Sequence, residues 1–131
     1  MRSLLCAIML FPPFALTAFA IDGDRQMDEY QINAFRNVKA EGSNGNYLVR
    51  GEARPLEGTF YFSVEDGHVE YIKEKQVFMK DKDLNWEPIQ IQIQIPKETL
   101  PDNGTLLINL YERNREGRIM NSYPIILQRF K

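Results

Sequence analysis

Val49-Arg50-Gly51-Glu52-Ala53-Arg54-Pro55-Leu56-Glu57-Gly58-Thr59-Phe60-Tyr61-Phe62-Ser63-Val64 is the stretch whose pattern decides the fold class. Phe60, Phe62 and Val64 fall on one face, and Tyr61, Ser63 and Glu65 on the other. Alternation with period two marks a strand with one face in a core. Upstream, Tyr47, Val49, Gly51 and Ala53 share a face, opposite Leu48, Arg50, Glu52 and Arg54. The expectation is a hairpin, two strands joined by a turn at Pro55-Leu56-Glu57. Gly51 and Ala53 carry so little side chain that another element could come close to the backbone there.

The rest of the chain is read outward from this pair. The 131 residues allow one domain. Residues 1–20 read as a secretory signal peptide: Arg2 at the start, an apolar run interrupted by Pro12-Pro13, then Ala18-Phe19-Ala20 with cleavage after Ala20. That run is shorter than the ~20 residues a membrane anchor needs, and no second one follows, so no transmembrane segment is expected after cleavage. Cleavage removes Arg2 and no acid, which moves the net charge from −2 to −3. A mildly acidic chain with no basic tract disfavours nucleic-acid binding. Cys6 leaves with the same segment. The remaining domain must be held by its hydrophobic core without disulfides, as suits a periplasmic or secreted bacterial protein.

Residues 21–29 are polar and read as a flexible leader, and residues 30–131 as the folded domain. Residues 30–38 suggest a first strand, with Tyr30, Ile32 and Ala34 on one face, and residues 40–46 a loop rich in turn formers. Asp66-Gly67 closes the Phe60–Val64 strand in a tight turn. A return strand follows from Val69, and residues 76–79 either belong to it or open another. Ile89, Ile91, Ile93 and Ile95 alternate with Gln90, Gln92 and Gln94 in the clearest strand of the chain. Residues 105–113 are apolar on both faces near the middle, as in a central strand. Asn114-Arg115-Glu116-Gly117 links them to a last strand over residues 119–128, where Pro124 marks an edge or a bulge. No stretch has a sustained helical period. Short strands with regular turn signals predict an all-β, antiparallel sandwich or small barrel.

These landmarks together resemble the immunoglobulin-like domain of bacterial spore germination proteins. The resemblance covers residues 31–128. It rests on Val49-Arg50-Gly51-Glu52-Ala53-Arg54 and Leu56-Glu57-Gly58-Thr59-Phe60, then Asp66-Gly67, Trp86-Glu87-Pro88, Gly104-Thr105-Leu106 and Tyr123-Pro124-Ile125-Ile126-Leu127. The chain departs from that family at Asn46-Tyr47, where Ser-Pro is common, and at Ile89, where Phe is common. The resemblance implies an immunoglobulin-like antiparallel β-sandwich of about seven strands, acting outside the cytoplasm as an accessory module with no catalytic residues and no cofactor.

Few residues suggest chemistry. His68 is the only histidine and sits in a turn, and none of Ser43, Ser63 or Ser122 lies in a nucleophile-type turn. Asp81-Lys82-Asp83-Leu84-Asn85 begins like a calcium loop. Trp86 stands where that loop needs glycine, and Gln92 where it needs glutamate. Asn103-Gly104-Thr105 matches a glycosylation sequon and reads as a turn. The candidate binding residues are therefore on the surface: the alternating row Arg50, Glu52 and Arg54, and the tyrosines Tyr61, Tyr71 and Tyr111 opposite the aliphatic faces. The expected role is a non-enzymatic exported binding module that engages an envelope protein or a cell-wall polymer. The alternative is an exported inhibitor of a protease or other hydrolase, presenting Pro55-Leu56-Glu57 or the charged loop at residues 80–85.

Overall fold

The computed structural model describes residues 34–80 and 85–131, all within one compact unit, Asn33–Lys131. The signal peptide, the leader, residues 30–33 of the expected first strand, and residues 81–84 of the calcium-like loop lie outside the described residues.

The strands are β1 (Phe35–Ser43), β2 (Asn46–Ala53), β3 (Thr59–Glu65), β4 (Glu70–Phe78), β5 (Glu87–Gln94), β6 (Gly104–Arg113) and β7 (Ile119–Phe130). Between β5 and β6 lies one turn of 3-10 helix, Lys97–Thr99. The strands form two antiparallel sheets, in the orders β1-β2-β5 and β4-β3-β6-β7. No helix among the described residues is long and apolar enough to cross a membrane.

One core lies between the sheets. The three-stranded sheet contributes Tyr47, Val49, Ala53, Ile89, Ile91 and Ile93, and the four-stranded sheet contributes Phe60, Phe62, Val64, Leu106, Ile108 and Leu110. These are the periodic faces read from the sequence. Phe35 of β1 meets Phe60 of β3 edge-to-face across the layers, with ring centroids 5.3 Å apart. Edge-to-face contact aligns the positive rim of one ring with the negative face of the other.

The expected hairpin at Pro55-Leu56-Glu57 is corrected. β2 pairs with β1 and β5, whereas β3 pairs with β4 and β6, so the stretch is an arch between sheets. Both strands carry an apolar face, and crossing the core lets those faces oppose each other rather than lie side by side. The arch is pinned at both ends. Arg54 donates its backbone N–H to Ala34, and Gly58 donates to Pro55.

The amino-terminal strand also differs from expectation. β1 extends to Ser43, and the turn contracts to Asn44-Gly45. Both residues have positive φ, 53° and 95°, as the two-residue hairpin turn requires. A Cβ on Gly45 would lie 2.1 Å from the carbonyl oxygen of Ile95, so no other residue fits. Farther along, β1 is bulged between Arg36 and Lys39, with Asn37 at φ 54°. The bulge breaks the alternation and turns Val38 inward over Gly51. A Cβ on Gly51 would come within 2.8 Å of Val38 Cγ2. Gly51 is therefore the position where β1 crosses close to β2.

β7 lies at an edge of its sheet, as Pro124 requires. Its Gln128 Oε1 accepts from the buried Tyr47 hydroxyl at 2.5 Å and from Asn44 N–H at 3.1 Å. This ties the β1–β2 turn to the opposite sheet.

Candidate functional site

The most developed polar constellation lies on the outer face of the four-stranded sheet. Tyr61 of β3 stands directly opposite Tyr111 of β6, and their rings stack with centroids 5.9 Å apart. Arg113, two residues beyond Tyr111, lies over both rings, 6.0 Å from the Tyr61 centroid and 5.7 Å from that of Tyr111. A guanidinium in this position is attracted by the electron-rich ring faces.

Glu74 reaches the same face because β4 is bulged. Phe62 pairs with Lys75 and Val64 with Ile72, so Ser63 faces two residues, Lys73 and Glu74. A bulge re-aims side chains in this way. Glu74 Oε1 accepts from the Tyr111 hydroxyl at 2.5 Å and from Arg113 Nε at 2.8 Å. Arg113 also donates to the Gly117 carbonyl, which holds the guanidinium at the β6–β7 turn.

The electrostatics follow from these contacts. Hydrogen bonds from Arg113 and then from Tyr111 hold the Glu74 carboxyl below its usual range. Tyr111 is only 5% exposed. Burial, reinforced by the bond to Glu74, pushes its phenol up to about 12. Glu74 in turn raises Arg113. At neutral pH the cluster holds a carboxylate, a neutral phenol and a guanidinium, fixed in one arrangement.

Around the cluster runs an open depression of about 600 Å³, lined among others by Ser63, Lys73, Asn109, Ile119 and Ser122. Donors, acceptors, both signs of charge and the exposed Ile119 meet there. Beyond Arg113, a second hollow of about 220 Å³ is lined by Leu56, Glu57, Arg115 and Met120. Arg113 lines both, so the surface is continuous from the centre of the sheet to the Pro55–Glu57 arch.

The arch owes its position to a residue that the sequence reading missed. Glu112 is 3% exposed and lies on the core side of β6, after Leu106, Ile108 and Leu110. Its Oε1 accepts from the Leu56 N–H at 2.7 Å, and its Oε2 accepts from the Asn121 amide. The signal was present as a carboxylate continuing an apolar period-two stripe. Leu56, whose N–H is held, leaves its side chain 59% exposed.

The other expected surface residues are placed elsewhere. Arg50, Glu52 and Arg54 lie on the outer face of the three-stranded sheet. Glu52 pairs with Arg36 at 3.1 Å and accepts from Asn37 at 2.9 Å, which lowers its carboxyl pKa. Arg50 approaches Glu41 at 3.9 Å. Arg54 and Arg36 both lie over the Trp86 ring, at 4.7 and 4.2 Å from its centroid. Glu52 and Arg54 are thereby engaged within the face, while Arg50 stays largely exposed.

Tyr71 does not join Tyr61 and Tyr111. Irregular register beside Val64 and Glu65 turns it against the core, and its hydroxyl donates to Asp66 Oδ2 at 2.9 Å. Asp66 Oδ1 also accepts from the backbone N–H groups of His68 and Val69. These bonds fix the β3–β4 turn and lower the Asp66 pKa, with the Val69 N–H bond the largest cause. His68 is exposed in that turn. Among the described residues, no group of three His, Cys, Asp or Glu side chains could hold a metal ion.

Compared with protein-family models, curated proteins and solved structures, the chain matches none.

Proposed function

We propose that the chain is an exported immunoglobulin-like module of the bacterial envelope that binds a protein partner through the outer face of β4-β3-β6-β7. The strand order supports the immunoglobulin-like part. With β1, β2, β3, β5, β6 and β7 named A, B, C, E, F and G, the sheets are A-B-E and C-F-G, and β4 extends the second beside C. The observation that carries the binding role is the Tyr61–Tyr111–Arg113–Glu74 cluster at the centre of a polar depression that continues to Met120 and Leu56. Tyrosine, arginine and methionine are the residues in which protein interfaces are enriched. Side chains already held in place lose little freedom on binding. On the opposite sheet face Glu52 is held by Arg36 and Asn37, and Arg36 and Arg54 lie over Trp86, which leaves these groups less to offer a partner.

The experiment is a capture from envelope extract with the full chain, comparing wild type with Tyr61→Ala and Ser122→Arg. Tyr61→Ala removes the ring stacked on Tyr111, Ser122→Arg fills the depression, and neither residue belongs to the core. The reading expects a defined protein held by wild type and lost from both variants. Equal capture by all three contradicts it, as does binding only to cell-wall polymer.

A second reading has its own support. Leu56 projects from an arch whose backbone is held by Glu112, Pro55 and Gly58, the way a rigid loop is offered to an active site. On this reading the protein inhibits a hydrolase. Assay against a panel of secreted hydrolases would reveal inhibition that Leu56→Asp abolishes.

A further inference from the structure

β5 is an edge strand, and among the described residues it pairs only with β2. The other edges carry features that discourage strand addition. β1 is bulged at Asn37, β7 contains Pro124 and irregular register, and β4 carries Lys73 and Lys75. β5 has no charge between Pro88 and Gln94.

The direction of its free backbone groups follows from one bond. Ile95 donates its N–H to Gly45 on the β2 side. In an antiparallel ladder this direction alternates, so Ile93, Ile91 and Ile89 also face β2. The N–H and C=O groups of Gln90, Gln92 and Gln94 then face outward at the free edge. Their side chains are exposed, while the isoleucines point into the core. Pro88, which has no N–H, falls on the outward-facing set.

The sequence Ile89-Gln90-Ile91-Gln92-Ile93-Gln94-Ile95 reads the same in both directions. We propose that the β5 edge is a homodimerisation surface, on which a second copy of this chain pairs antiparallel about a two-fold axis through Gln92. In that register Gln92 meets its own counterpart, Gln90 meets Gln94, Ile91 meets Ile93 and Ile89 meets Ile95. Every outward-facing backbone group of the three glutamines gains a partner, glutamine side chains line up on one face, and isoleucines stay in a joined core. A two-fold edge contact closes as a dimer and leaves each bulged β1 at the outside of the merged sheet. Lys75, which lines a hollow with Gln92 and Gln94, is exposed and can keep its ammonium in water.

Sedimentation velocity on the full chain over a dilution series tests this. Wild type should be a dimer that dissociates on dilution. Gln92→Pro should be monomeric: the missing N–H faces the free edge, so the fold is spared while the central pair is lost. The Gln90→Lys/Gln94→Glu variant places opposite charges across the joint and should dimerise at least as well as wild type. Gln90→Lys/Gln94→Lys opposes like charges at both flanking pairs and should weaken association about tenfold or more. Monomeric wild type, association unchanged by Gln92→Pro, or equal affinity of the two doubly charged variants would each overturn the proposal.

Discussion

Gly51 and Glu112 show how much of this structure depends on single atoms. At Gly51 an added methyl would meet Val38 Cγ2 at 2.8 Å and Val38 Cα at 3.0 Å. The backbone of β1 would have to move, so Gly51→Ala should destabilise by about 1–3 kcal/mol, the usual range for overpacking. Urea denaturation would measure it. Glu112 satisfies the Leu56 N–H and the Asn121 amide from inside the protein. Glu112→Ala removes both acceptors and should cost about 1–3 kcal/mol, the usual worth of hydrogen bonds to a charged group. Glu112→Gln keeps one acceptor and should cost less.

Titration gives a second test at this scale. The Glu74 carboxyl is held below its ordinary 4.5, by Arg113 first and Tyr111 second. Its pairing therefore stabilises the fold fully above the unfolded-state value. That contribution is lost as pH falls through the lower folded value. Urea midpoints measured from neutral pH down through the carboxylate range should fall less steeply for Glu74→Gln than for wild type. On the alkaline side, the Tyr111 phenol lies near 12 against an ordinary 10. The stability it confers is complete below 10 and is lost as pH rises towards 12. Ultraviolet difference titration should show a late phenolate step that Tyr111→Phe removes.

Among the strands, the sequence was most legible where side chains alternate without interruption. The inward faces of β2, β3, β5 and β6 follow period two, and the core contains the residues that this period assigns. The exceptions have local causes. Alternation says which face of a strand is buried and not which neighbour it pairs with, so the arch between β2 and β3 reads like a hairpin. Asn44-Gly45 is a strong turn signal, but Gly42, Ser43 and Asn46 around it made the whole segment resemble a loop. The bulge at Asn37 reverses the facing of β1, and the bulge beside Ser63 brings Glu74 to Tyr111. Neither has a signature in composition. Tyr61 and Tyr111 were legible as outward tyrosines, and Arg113 shares the Tyr111 face by period two, whereas Glu74 comes from β4, whose register only the fold sets.

The β1–β2–β5 face offers a prediction of its own. Trp86 is the single tryptophan of the chain, and the guanidinium groups of Arg36 and Arg54 both lie over its ring. Each guanidinium should contribute about 0.5–1 kcal/mol at such a partly exposed site. Arg36→Ala and Arg54→Ala should each lower stability by that order and shift the tryptophan emission towards that of a solvated indole.

For the whole molecule, the two sheets divide the work. One outer face engages Glu52 with Arg36 and sets Arg36 and Arg54 over Trp86, with Arg50 and Glu41 largely exposed. The other carries the stacked tyrosines with Arg113 and Glu74 beside a hollow of about 600 Å³, against about 410 Å³ beside Lys39, Glu41 and Arg50 on the first. The proposed binding role depends on that asymmetry. Site-specific photo-crosslinking in cells tests it most directly, with the reactive side chain placed at Ser122 on the rim of the depression or at Lys39 on the opposite sheet. The account predicts a discrete protein adduct from Ser122, absent when Tyr61→Ala is added, and none from Lys39. An adduct from Lys39 alone, or a Ser122 adduct indifferent to Tyr61→Ala, would contradict it.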